Sequence, residues 1–309
     1  IDVPHQNVQH HLLKVTSKHF LKNDNVLNLI YGGQVNDRKE FDVRRSGRED
    51  IPALSLLQIT HFLEANYQQT FGEGISLKMG GQYNYIDNTN DPETGILPLI
   101  PDFRAYKGAG FLILKMEKNR TLFELGGRYD FRYLQALPFT SAPPYEVLEF
   151  KYQFHDYSFS TGFRHHTKDW LETNINLSYV TRSPEVNELH SAGLHQGVSG
   201  IEEGSPDLNS EKSLKAVAST DWTVKEKLFI QAVGYYHLVN DFIFLEPQPE
   251  LRLTIRGAFP VFKYKQTHAN IYGLDLLVSY EPVERYRLVA KYAYLRGHDR
   301  SNNIPLINM

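Results

Sequence analysis

The sequence predicts an all-β protein, an antiparallel transmembrane β-barrel. Three observations predict it: apolar and polar residues alternate over long segments, short and long connections alternate between those segments, and aromatic residues are abundant. The 309 residues include 19 tyrosines and 18 phenylalanines. Tyrosine is favoured where a ring is apolar on one side and hydrated on the other, as at a bilayer surface.

The alternation has a period of two residues, which sends successive side chains to opposite faces of a strand. From Ile75 to Tyr85 nearly every odd position is apolar and the positions between are polar or glycine. The segments that follow Thr121 and Leu171 show the same pattern. In a barrel, the apolar face should contact lipid and the polar face should line the lumen.

The pattern predicts about twelve strands, arranged as six hairpins with short turns. In chain order, the strand pairs are 8–20 with 26–41, 54–70 with 74–87, 104–117 with 121–135, 155–165 with 170–182, 212–223 with 227–246, and 259–281 with 285–298. The turns within these pairs are three or so residues of polar or glycine-containing sequence, such as Gly72–Glu73 and Thr167–Asp169.

The connections between successive hairpins are long, at 42–53, 88–103, 136–154, 183–211 and 247–258. Short and long connections therefore alternate along the whole chain. Transmembrane barrels have tight turns at the periplasmic rim and long loops outside. A soluble antiparallel sheet with one hydrated face has the same period of two, but it has no reason to sort its loops in this way.

Composition excludes several classes of protein. The net charge of -3 argues against a nucleic-acid partner, and the absence of cysteine excludes disulfides and thiolate metal sites. No apolar run approaches the ~20 residues of a membrane helix. We find no phosphate loop, dinucleotide fingerprint, nucleophile elbow or catalytic triad, so we expect no enzyme and no intrinsic cofactor.

The long connection 183–211 contains a spaced set of residues that, with a second set downstream, resembles the TonB-dependent outer-membrane receptors. The first set is Arg182, Pro184, Glu188, Leu189, Gly193, His195, Glu202, Gly204, Pro206, Asp207, Leu208 and Glu211. The second is Tyr264, Gln266, Ala269, Tyr272, Gly273, Leu274 and Asp275. We call the segment from Arg182 to Glu211 the signature segment.

The resemblance implies a bacterial outer-membrane barrel of about 22 strands with an N-terminal plug inside it. Here the strand pattern begins near residue 8, without a plug or TonB box, and residues 304–309 fall where the family has an external loop. We therefore expect residues 1–309 to form one domain, a barrel segment that is incomplete at both ends. Twelve strands alone would leave two unpaired edges, which a membrane does not tolerate.

The resemblance also implies the activity. Such receptors import an iron chelate, of siderophore or ferric citrate type, with energy from a TonB complex that contacts the plug. The expected partners are outer-membrane lipid, the TonB complex and a small metal chelate. A haem or zinc receptor of the same family remains an alternative, and a passive porin is the alternative from another class.

Five residues are candidates for ligand contact. His190 and His195 in the signature segment could coordinate haem iron or another metal, since imidazole is a common metal ligand, although no metal site is firm. They could equally be hydrogen-bonded loop residues. Arg128, Arg132 and Arg182 should face the lumen, where they could attract an anionic chelate or pair with carboxylates such as Glu124, Asp130 and Glu172.

Overall fold

The computed structural model describes residues 5–41, 50–140, 143–195, 199–254 and 257–306. Twelve long strands and three short ones account for most of the described chain. They are β1 (His5–Phe20), β2 (Val26–Phe41), β3 (Leu54–Phe71), β4 (Ile75–Asn90), β5 (Asp102–Lys118), β6 (Thr121–Leu137), β7 (Phe150–Lys168), β8 (Leu171–Arg182), β9 (Ala192–His195), β10 (Gly200–Glu203), β11 (Glu211–Val224), β12 (Leu228–Thr254), β13 (Gly257–Val283), β14 (Tyr286–Asp299) and β15 (Ile304–Pro305).

The long strands form one antiparallel sheet in which each pairs with the next in sequence. β8 pairs directly with β11, because the signature segment between them leaves the ladder and folds over it. β10 joins the sheet by pairing in parallel with β13, and β9 pairs with β10. Within the described residues the sheet is open, with β1 at one edge and β14, joined only by the short β15, at the other.

The predicted strands agree with the structure. All twelve are present, most of them within three residues of the expected bounds. The expected faces are also present: Leu112, Leu125 and Phe159 are exposed on the outer face, while Asn66 and Asp130 are buried on the inner one. This pattern is typical of a barrel wall with a lipid-facing apolar surface and a polar lumen.

The predicted long connection 247–258 is wrong. β12 and β13 continue as one hairpin of 27 residues on each side, and only residues 255–256 lie outside the described chain. Pro247 and Pro249 lie within β12, and β11 pairs with β12 no further than Asn240. Beyond that point β12 has a free edge, where a proline removes no ladder hydrogen bond.

The other connections are shorter than expected or contain structure. β4 extends to Asn90 and β7 begins at Phe150. The signature segment contains a short helix, α1 (Val186–His190), where no helical periodicity was expected. Residues 42–49 of the connection 42–53, and residues 307–309 of the expected external loop at 304–309, lie outside the described residues.

No helix in the described part of the chain is long and apolar enough to cross a membrane.

The largest buried cluster lies on the inner face, under the signature segment. Val186, Leu189 and Leu208 of that segment pack against inward side chains of the wall, which are Phe103 and Ala105 of β5, Leu134 and Ala136 of β6, and Ile243 of β12. Leu134 and Ala136 are completely buried. The lumen wall is therefore apolar at this height, which explains why the connecting segment folds inward.

Candidate functional site

The signature segment is held at the inner face first by hydrophobic packing. The helix α1 places Val186 and Leu189 on its wall-facing side, and Leu189 is 1% exposed. Full burial of such a side chain contributes about 1.5–3 kcal/mol. A five-residue helix is not stable in isolation, so this packing, rather than helix propensity, maintains it.

Arg182 links the two ends of the segment. Its guanidinium donates to both carboxylate oxygens of Glu188, at 2.9 and 3.0 Å, and to Glu211 at 2.6 Å. Glu188 also accepts the backbone N–H of Glu185 at 2.7 Å, and Glu211 accepts that of Ile243 at 2.6 Å. The bidentate geometry fixes orientation as well as distance. Three members of the sequence signature thus form one structural network.

Arg132 anchors the start of the segment to β6. It is buried, and it donates to the carbonyl oxygen of Pro184 at 2.9 Å and to the Glu185 carboxylate at 2.8 Å. The neighbouring Asp156 accepts the backbone N–H of Ser183 at 3.1 Å. The wall therefore holds consecutive residues of the segment by hydrogen bonds to its backbone.

Arg128 lies deeper on the same strand and pairs within the wall. Its guanidinium donates twice to Asp130, both times at 2.7 Å, and Lys107 approaches the same carboxylate at 3.2 Å. The expected pairing of Arg128 with Asp130 is therefore present. Arg128 does not belong to the network of the signature segment.

Glycine is required at two signature positions by close approach of neighbouring atoms. A Cβ at Gly204 would lie 2.5 Å from the backbone of Leu189 and His190. A Cβ at Gly273 would lie 2.3 Å from the hydroxyl of Tyr235, which covers it from β12. Both glycines permit a contact that a methyl group would prevent.

The second half of the segment docks on the extension of the β12–β13 hairpin. β10 pairs in parallel with β13 over Ile201–Val261, Glu202–Phe262 and Glu203–Lys263. Glu203 of β10 forms ion pairs with both strands of this hairpin, with Arg252 of β12 at 2.6 Å and with Lys263 of β13 at 3.3 Å. Burial alone would raise the pKa of Glu203, but hydrogen bonds from these two cations outweigh it and lower the pKa.

The two candidate histidines have different environments. His190 is buried, its Nε2 lies 2.9 Å from the Tyr152 hydroxyl, and its ring packs on Phe150 and Tyr152. Burial lowers the pKa of His190 to about 4, so the ring is neutral at pH 7. His195 on β9 is 45% exposed at its side chain, and its Nδ1 lies 2.7 Å from Glu202.

A cleft of about 450 Å³ opens beside His190 at the outer end of the wall. It lies between the signature segment and the connections after β4 and β6. Its lining is mixed. The apolar part includes Leu97, Pro98, Pro101, Pro138 and Phe139, and the polar part includes His190, Ser191, Glu203 and Arg252. Its volume is within the usual range for small-molecule sites.

The structure brings some predicted site residues together and separates others. Arg132 and Arg182 both hold the signature segment, and His190 lines the cleft. His195 lies on β9, and Arg128 is engaged within the wall. Arg252 and Tyr152 were missed, because their contacts with Glu203 and His190 join elements that are far apart in sequence. No signal in the sequence marks such pairs.

Among the described residues no group of three or more His, Cys, Asp or Glu side chains is arranged to hold a metal. An inward Ser213 lies 2.5 Å from Nε2 of His237, a serine–histidine pair that sequence reasoning did not find. Both residues lie in paired strands, whose backbone N–H groups are used in the ladder. The pair therefore lacks the free N–H groups of an oxyanion site.

The fold and the site define an antiparallel β-barrel domain whose wall holds one of its own connecting segments at the inner face. The family description "TonB dependent receptor-like, beta-barrel" matches residues 8–308. The chain belongs to the TonB-dependent receptor family, a family of bacterial outer-membrane transport receptors.

Solved structures of this family share the fold. The copper transporter OprC superposes with a TM-score of 0.76 and 17% identity, over 97% of this chain and 48% of that one. The hemophore receptor HasR of Serratia marcescens gives 0.70 and 14%, over 96% and 49%. The alcaligin outer-membrane receptor FauA of Bordetella pertussis gives 0.63 and 14%, over 98% and 48%. The chain spans about half the length of these receptors.

Proposed function

We propose that this chain is the barrel portion of a longer receptor that imports an iron chelate, of siderophore or ferric citrate type, with energy from TonB. Membership of the family supports the transport role, and the chain's coverage of about half of its structural neighbours supports the longer receptor. The plug and its TonB contact would belong to the rest of that receptor. No covalent chemistry is required of this chain.

The observation that carries the proposal is the cleft beside the signature segment. It lies at the long-connection end of the wall, where a ligand from outside arrives first. The Arg252 guanidinium lines the cleft as a positively charged group, and its ion pair with the Glu203 carboxylate holds it in place. Of the residues predicted from sequence, we propose His190 and Arg182 as supports of this cleft, with Arg128 and Arg132 supporting the wall beneath.

The test is growth of an iron-starved strain that depends on the full-length receptor. Supplied with individual ferric chelates, the strain should grow on at least one, and deletion of TonB should abolish that growth. Arg252→Gln should raise the chelate concentration needed for growth, whereas Arg120→Gln, at an exposed ion pair on the opposite rim, should not. TonB-independent uptake would instead indicate a passive porin.

One observation favours haem or zinc as a second candidate ligand. The Nδ1 of His195 is held by Glu202 at 2.7 Å, and the side chain is half exposed. A metal-binding histidine commonly has its other ring nitrogen bound to a carboxylate in this way. If the receptor binds haem through His195, the Soret band of haem should shift on binding. His195→Ala should abolish this shift, and His190→Ala should alter it less. An unchanged spectrum in His195→Ala contradicts coordination by this residue.

A further inference from the structure

The outer face of the sheet carries two adjacent rows of side chains that cross neighbouring strands. The first, the aromatic row, consists of His61, Tyr85, Tyr106 and Tyr133 on β3 to β6, each directly opposite the next. Successive ring centroids lie 6.3, 4.9 and 6.2 Å apart. Rings that are apolar on one side and polar at the tip favour the membrane–water interface.

The second, the charged row, lies two residues further toward the long connections. It consists of Asp87, Arg104, Gln135 and Lys151 on β4 to β7, again directly opposite one another. Because successive residues of a strand alternate between faces, both rows belong to the same outward surface. The charged row thus lies just beyond the aromatic row, at the height of lipid headgroups.

The two cations of the charged row are available to a partner. The side chains of Arg104 and Lys151 are 57% and 54% exposed. Arg104 contacts Asp87 at 3.3 Å and Lys151 contacts Glu149 at 2.9 Å. Exposed ion pairs of this kind contribute little to stability. A phosphate oxygen bearing more charge can therefore replace the carboxylate as partner at small cost.

The spacing of the two cations suits one phosphate group. Arg104 and Lys151 are separated by a single strand, at Gln135, so their backbones are about 10 Å apart. Both side chains are long enough to converge on an oxyanion above Gln135. They face away from the lumen and from the cleft, so a ligand passing through the receptor would not meet them.

We propose that Arg104 and Lys151 form a seat for the phosphate of a phosphorylated lipid in the outer leaflet, with Tyr106 and Tyr133 contacting the start of its acyl chains. A basic residue near a membrane surface contributes about 1 kcal/mol to the attraction of an anionic lipid. The seat would fix the height and rotation of the barrel wall in the bilayer. It acts independently of the imported chelate.

The test uses the purified full-length receptor in detergent, with diphosphoryl lipid A as the probe and native mass spectrometry as the measurement. The variant Arg104→Gln/Lys151→Gln should bind the probe at least about tenfold more weakly. Arg120→Gln, at the opposite rim, is the matched control and should bind normally. Folding of each variant is checked by its heat-dependent mobility on gels.

Three outcomes would overturn the proposal: equal binding by the double variant, an equal loss in Arg120→Gln, or equal binding of the enzymatically dephosphorylated lipid. Displacement of the lipid by excess inorganic phosphate alone would show a free-anion site and would also overturn it. The single variant Arg104→Lys retains the charge. It should keep most of the binding, which separates charge attraction from loss of the local structure.

Discussion

At the scale of single residues, the signature acts mainly through structure. Arg182, Glu188 and Glu211 form a hydrogen-bonded network, and Gly204 allows α1 and β10 to touch. The absence of a side chain at Gly273 leaves room for the ring of Tyr235 on the preceding strand, β12. The signature residues are spaced in the sequence as they are because each lies at a point where the folded segment contacts the barrel wall or another part of itself.

The first prediction concerns Gly273. Gly273→Ala should destabilise the folded barrel by about 1–3 kcal/mol, because the new methyl group overlaps the ring of Tyr235 and the backbone oxygen of Tyr294. Urea unfolding followed by tryptophan fluorescence measures this cost. Gly234→Ala is the matched control, since a Cβ there meets nothing within 4 Å. Combining Gly273→Ala with Tyr235→Ala should cost less than the sum of the two single changes, and strict additivity would contradict the contact.

The second prediction concerns pH. Burial lowers the pKa of His190 to about 4 from an ordinary 6.5, so the folded state binds fewer protons than the unfolded state. The resulting stability is fully present above pH 6.5 and is lost as the pH falls toward 4, by about 3 kcal/mol. Limited proteolysis of the signature segment should therefore accelerate over this range.

The control for this pH dependence is the exposed His166. In His190→Gln the acceleration of proteolysis between pH 6.5 and 4 should be smaller than in the parent, whereas His166→Gln should keep it. If both variants retain the full pH dependence, carboxylates rather than His190 are responsible for it.

At the scale of elements, each strand separates a lipid face from a lumen face by the alternation of its residues. β5 shows this near its centre, where Leu112 faces outward beside Met79 and Ile113 faces inward beside Lys78. A shift in register by one residue would exchange the two faces. The free edge of the long β12–β13 hairpin could pair with a strand of another molecule. Pro247 and Pro249 oppose such pairing, because they interrupt the row of backbone N–H donors along β12.

The third prediction tests the faces of β5. Leu112→Arg should destabilise the membrane-inserted barrel by about 2–4 kcal/mol, because it places a charge in the hydrocarbon region. Ile113→Arg, one residue away on the inner face, should cost markedly less. Folding into lipid vesicles, measured by gel mobility, compares the two. If the two substitutions destabilise the barrel equally, the assignment of Leu112 to the lipid-facing side and Ile113 to the lumen side is contradicted.

At the scale of the molecule, the wall is taller than a membrane. β12 has 27 residues, or about 90 Å, whereas about 9–11 residues of a tilted strand cross the hydrocarbon region. The remainder rises beyond the long-connection end and carries β10 through its pairing with β13. This extension, together with the signature segment and the connections after β4 and β6, encloses the cleft.

The fourth prediction tests orientation. Residues 1–309 contain no cysteine, so an introduced cysteine is the only label site within this part of the receptor. Leu253→Cys, at a position 84% exposed near the end of the extension, should react with an impermeant maleimide on intact cells. Glu226→Cys, in the short turn between β11 and β12, should react only after the outer membrane is permeabilised. The reverse pattern would contradict the assigned orientation.

The sequence by itself determined the class, the strands and the faces, because a period of two residues and the order of short and long connections are local properties. It also determined the family, through the spacing of residues such as Arg182, Glu188 and Gly273. Tertiary structure alone decided that the signature segment folds inward and that β12 and β13 extend past the membrane. The packing of Val186 and Leu189 in one cluster with Leu134, the Arg132 anchor and the pairing of β10 with β13 join residues 50 or more positions apart. No local pattern encodes such contacts, since each depends on which strands become neighbours.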